Sequence, residues 1–131
     1  MSVSNLRKRL RYVQKSGKRH VALLEDVWSD WDAVEPRWKA KLLHLFEKYG
    51  EPANRLPPEQ FKSEKRHSSG GRESKEIQVW AFKAFQQRLY GATVEIDGVP
   101  TFVCAAYDKK KSNRANSSLL KSVARKLGPY L

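Results

Sequence analysis

The stretch EIQVWAFKAFQQRLYGATVEIDGVPTFVCAAY, residues 76–107, decides the fold. Glu76 to Phe85 is rich in Val, Ile, Trp and Phe, side chains that suit a pleated, half-buried surface. Arg88 to Ile96 makes a second strand. Asp97-Gly98 then closes a hairpin, the dipeptide a two-residue type I′ turn prefers. The third strand, Val99 to Tyr107, contains the run Thr101-Phe102-Val103-Cys104-Ala105-Ala106. A short apolar run of that kind suits a strand buried on both faces, and hence a central one.

Before this meander, His20 to Val34 places Val21, Leu24, Val27/Trp28, Trp31 and Val34 at helical spacing. Pro36 opens a second helical stripe, Trp38, Leu42, Leu45/Phe46 and Tyr49, with Gly50 as its C-cap. These two predict a helical hairpin with Trp28, Trp31 and Trp38 in its core. The alternation in Arg9-Leu10-Arg11-Tyr12-Val13-Gln14 reads as a short strand, although Val3, Leu6, Leu10 and Val13 also fit a basic amphipathic helix. Pro52, Pro57 and Pro58 mark a linker, and the polar segment 62–75, with its tip at Ser68-Ser69-Gly70-Gly71, reads as a long loop. Asn116 or Ser117 caps a last helix with the stripe Leu119/Leu120, Val123/Ala124 and Leu127.

The predicted order is strand, helix, helix, three strands, helix. That is a single α+β domain over 1–131: a twisted antiparallel sheet, a helical hairpin packed on it and a C-terminal helix. Cys104, the only cysteine, sits in the apolar run and reads as inert core. No apolar run approaches a membrane span, and Met1 to Leu10 lacks the apolar core of a secretory signal. A soluble cytoplasmic protein is expected, with no membrane partner.

Charge separates the function classes further. The net charge is +12; residues 1–20 and 109–131 hold seven basic residues each and no acid, so the stretch between them carries −2. A basic segment at each end of a nearly neutral body is the footprint of a polyanion binder, since each Lys or Arg on a phosphate releases condensed counterions. Arg9 and Arg11 in the basic segment 1–20, and Lys110, Lys111 and Arg114 near the other end, are the expected RNA contacts. His20, His44 and His67 have no metal-ligand spacing, and no Gly-rich phosphate loop is present. No metal and no small-molecule cofactor is expected. What remains is Lys83 at the end of one strand, Arg88 at the start of the next, and Tyr107 and Lys109 where the third ends. Antiparallel pairing brings all four to one end of the sheet. Metal-free RNA cleavage uses such groups: a base for the 2′-hydroxyl, cations for the phosphate and an acid for the leaving 5′ oxygen.

From Leu23 to Leu131 the chain resembles the RelE/ParE toxin superfamily, most of all its HigB and phage-related branch. The resemblance rests on Phe46-Glu47-Lys48-Tyr49-Gly50 at the end of the helical hairpin, Ile77-Gln78-Val79-Trp80, and Gln87-Arg88-Leu89-Tyr90. It extends to Thr101-Phe102-Val103 with Tyr107-Asp108-Lys109-Lys110-Lys111, and to Leu120…Ala124-Arg125-Lys126-Leu127…Tyr130. It implies a type II toxin that cuts mRNA on the ribosome without a metal and is neutralised by an antitoxin protein, with Arg88 on the phosphate. The chain departs from that pattern at Ala81, where the family carries Arg or Lys, and in the long segment 62–74. It also lacks a His after the last strand. A gyrase-poisoning ParE-type toxin and a non-catalytic nucleic-acid-binding protein are the alternatives.

Overall fold

The computed structural model describes residues 3–109 and 116–131. The chain forms α1 Val3–Arg7, β1 Leu10–Gln14, β2 His20–Leu24, a 3-10 turn at Glu25–Val27, α2 Trp28–Asp32 and α3 Pro36–Tyr49. It continues as β3 Phe61–Ser68, β4 Glu76–Ala84, β5 Gln87–Ile96, β6 Val99–Lys109 and α4 Ser117–Leu127. The strands make one sheet in the order β1-β2-β6-β5-β4-β3. The expected meander β4-β5-β6 is its centre, with Asp97 and Gly98 at φ 53° and 78° in the turn. The protein is α+β, as expected.

Three elements differ from the expectation. The segment read as the first helix, 20–34, begins as a strand, and this strand pairs with β6 in parallel, so the sheet is mixed and not wholly antiparallel. Val21, Ala22, Leu23 and Leu24 are all fully buried between β1 and β6. A run buried on both faces satisfies helical and strand spacing alike, and the strand wins because β6 offers a bare edge. The helical hairpin therefore shrinks to α2, five residues long, followed by α3, fourteen residues long.

The second difference is the segment 62–75, which is a loop only over 69–75. Its first part is β3, an edge strand whose outward residues stay polar because only β4 pairs with it. At the N-terminus residues 10–14 form the expected strand, and the third difference is the helix before it, over residues 3–7. Gly50 follows α3 as expected, but at φ −57° it needs no left-handed freedom. It is glycine for lack of space, since a Cβ there would lie 2.2 Å from the Gln14 amide nitrogen.

Helices cover both faces of the sheet. On one face α3 buries Leu42, Leu45, Phe46 and Tyr49 against Phe82, Leu89, Phe102 and Cys104. On the other, α4 buries Leu120, Val123, Ala124 and Leu127, and α1 buries Leu6, against Val79, Ala81, Tyr90 and Val103. Each such aliphatic or aromatic side chain contributes about 1.5–3 kcal/mol on leaving water. Asn116 caps α4 by accepting hydrogen bonds from the Ser118 and Leu119 amides at 3.0 and 3.3 Å. No helix among the described residues is long and apolar enough to cross a membrane.

Candidate nucleic-acid interface

The end of β4 and the start of β5 are joined by the two-residue turn Phe85-Gln86, which sets Lys83 directly opposite Arg88. Arg88 in turn lies opposite Asp108, while Lys62 on β3 lies opposite Ala81. Side chains alternate along a strand, and cross-strand partners share a face. Lys62, Lys83 and Arg88 therefore project from the α4 face, beyond the reach of its core. With Pro58 and Glu59 they line an open pocket of about 320 Å³. Among the described residues none of the three makes an ion pair. The Arg88 guanidinium donates to the carbonyls of Phe85 and Gln87, at 2.5 and 3.1 Å, so it is held in place without losing its charge to a carboxylate. Partial burial, then the neighbouring charges of Arg88 and Lys62, hold the Lys83 ammonium below the usual lysine pKa.

Tyr107 and Lys109 reach the same end of the sheet on the opposite face. Tyr107 is the partner of Leu89, and Lys109 of Gln87. Both line a separate pocket of about 220 Å³ with Asp30, Glu35 and Gln87. The Tyr107 hydroxyl donates to the Gln87 side-chain oxygen, and burial raises its pKa further above neutrality. The four residues expected to form one site are thus two pairs, back to back through the sheet. Chain order alone placed them at one end; the side-chain alternation, Lys83 against Arg88 and Leu89 against Tyr107, divides them.

Of the expected RNA contacts, Arg9 pairs with Glu25 at 2.7 Å and Asp26 at 3.5 Å, and Arg11 pairs with Asp32 at 2.8 Å. The Arg11 guanidinium also covers the Trp28 ring at 5.1 Å. The N-terminal excess is therefore partly matched within the fold. Lys110, Lys111 and Arg114 lie outside the described residues.

Two functional candidates escaped the sequence reading. Lys62 lay in what read as loop; its register opposite Ala81 sets a cation beside the position where the resemblance led one to expect Arg or Lys. The other is the pair Trp38 and Phe85. Trp31 is buried, as expected, and Trp28 is half-buried with its indole N–H on the Leu23 carbonyl at 2.8 Å. Trp38 is not core. It stacks at 4.8 Å and 19° on Phe85, a ring 60% exposed. Cys104 is fully buried, and burial pushes its thiol up to about 12, which matches an inert side chain. No group of three or more His, Cys, Asp or Glu among the described residues is placed to hold a metal. No protein-family model, curated protein or solved structure matches the chain.

Proposed function

We propose that this chain is a RelE-type toxin, a ribosome-dependent endoribonuclease that cuts mRNA in the cytoplasm and is held inactive by an antitoxin protein. The observation that carries this reading is the pocket of Lys62, Lys83 and Arg88, three cations at a strand end that make no ion pair among the described residues. In that pocket Arg88, its fork pre-positioned by two carbonyls, grips the non-bridging oxygens of the scissile phosphate. Lys83, with its lowered pKa, is neutral in a larger fraction of molecules than an ordinary lysine and accepts the 2′-hydroxyl proton. The 2′ oxygen then attacks phosphorus, the bond to the 5′ oxygen breaks, and Lys62 protonates that oxygen as it leaves. The products are a 2′,3′-cyclic phosphate and a free 5′-hydroxyl.

Arg88→Ala tests the reading. With purified protein and ribosomes carrying a defined mRNA, cut ends are mapped by primer extension. Cleavage by the variant is expected to fall about 10²–10³-fold, the loss typical when one donor to a developing anion is removed. Ribosome affinity is expected to change far less. Near wild-type cutting by Arg88→Ala overturns the assignment. A second reading, a non-catalytic nucleic-acid-binding protein, is favoured by Tyr107 and Lys109 standing on the other face, which leaves Glu59 as the one acid among the three cations of the pocket and no tyrosine there. Ribosome binding without any cut ends from the wild-type protein supports it. Induction of an SOS response without mRNA cleavage would instead support the gyrase-poisoning reading.

A further inference from the structure

We infer that the exposed face of Phe85 is a stacking platform for one unpaired RNA base, next to the phosphate held by Lys62, Lys83 and Arg88. This rests on the reading of that pocket as a phosphate site.

Three observations lead here. Phe85 takes φ 54° at the first position of a two-residue hairpin turn, where glycine is the unstrained choice. An aromatic side chain in that conformation carries a strain cost. Burial does not offset it, because the ring is 60% exposed and is the most exposed of the large apolar side chains described. Second, the ring is held flat. It stacks on Trp38 at 4.8 Å, the Arg37 guanidinium lies 4.7 Å from the centre of the Trp38 ring, and Arg88 fixes the Phe85 carbonyl. A ring held in this way gives up little freedom when a second ring is laid on it.

Third, the surroundings select the occupant. The Phe85 ring leans toward α3 and the pocket opens on the α4 side, but the Arg88 guanidinium reaches the Phe85 carbonyl at 2.5 Å, so only a short gap over the turn separates cation and ring. One nucleotide spans that gap, with its phosphate in the cationic pocket and its base on the ring. An exposed aromatic flanked by unpaired cations is how sequence-tolerant single-strand binders hold a base, because every base presents a π face. A protein partner is the other use of an exposed Phe, and the charge of the adjoining pocket favours the polyanion.

The test is a fluorescence-anisotropy titration with a labelled twelve-nucleotide oligouridylate over a range of salt. The proteins compared are wild type, Phe85→Gly, Phe85→Trp and Arg88→Ala. Phe85→Gly suits the positive φ, so it is expected to melt no lower than wild type, and an affinity loss then cannot be ascribed to unfolding. Its affinity is expected to fall roughly 5- to 150-fold with the log–log salt slope unchanged, while Phe85→Trp keeps wild-type affinity. Wild-type protein is expected to bind an abasic oligonucleotide of equal length as weakly as Phe85→Gly binds the oligouridylate. Phe85→Gly binding within twofold of wild type overturns the platform, leaves the phosphate pocket standing and assigns the ring to a protein contact. An unchanged salt slope in Arg88→Ala, with affinity still lost in Phe85→Gly, sinks the phosphate pocket and spares the stack. No binding by the wild-type protein overturns both.

Discussion

Lys83 is a cation placed where the fold does not favour a charge. Partial burial and the charges of Arg88 and Lys62 lower its pKa below 10.5, the value of an unperturbed lysine. Between the lowered value and 10.5 the unfolded chain binds more protons than the folded one, so stability rises with pH across that window. Below the window Lys83 is charged in both states and destabilises the fold. Lys83→Met is therefore expected to melt above wild type at pH 7, with the gap closing as the pH rises through that window toward 10.5. Thermal unfolding of both proteins over this range checks it, and a variant that melts lower throughout would show that the ammonium is a structural anchor. Arg88 was visible in the sequence as a guanidinium with no acid close by in the chain; the fold sets Asp108 opposite it, yet among the described residues the two make no ion pair. That Tyr107 stands apart from it was not visible, because the side on which each residue emerges depends on a register that strand order leaves open.

At the scale of elements, what the sequence showed plainly were those that need no distant partner to be recognised. The turn Asp97-Gly98, the stripe of α3 and the Asn116 cap of α4 are local, and each formed as expected. β2 and β3 are strands only because of what they pair with. β2 is apolar enough to pass for a helix face, and β3, Phe-Lys-Ser-Glu-Lys-Arg-His-Ser, is polar enough to pass for a loop. α2 shows the same dependence on tertiary support. At five residues it is far below the length at which a helix persists alone, and it is pinned by Trp31, whose ring lies 5.9 Å from that of Phe46. Trp31→Ala is expected to cost about 3–5 kcal/mol in urea unfolding. Trp28→Ala should cost less, since that ring is only half-buried. Equal losses for the two would mean that α2 acts as one rigid plug.

For the molecule as a whole, the +12 charge is spread less simply than the chain suggested. Arg7, Arg9 and Arg11 meet Asp97, Glu25, Asp26 and Asp32, so the N-terminal arginines hold the fold's own acids. Exposed pairs of this kind contribute about 0–1 kcal/mol each. The weight of polyanion binding is then expected on the other basic segment, which leaves β6 directly after Lys109. Replacing Lys110, Lys111 and Arg114 together by Ala is expected to lower the log–log salt slope of ribosome binding by roughly two to three. Replacing Arg9 and Arg11 should lower it by less than one. The reverse ranking, read from filter binding at several salt concentrations, would return the contact surface to the N-terminus. The parallel pairing of β2 with β6 also governs when the protein can become itself. β2 is among the first strands to be synthesised and β6 is the last, so the hairpin β1–β2 waits with one edge bare until nearly all of the chain has been translated. Contacts so distant in sequence close slowly. A nascent chain thus carries an apolar strand with one edge unpaired for most of its synthesis, and that edge is where a chaperone would first take hold.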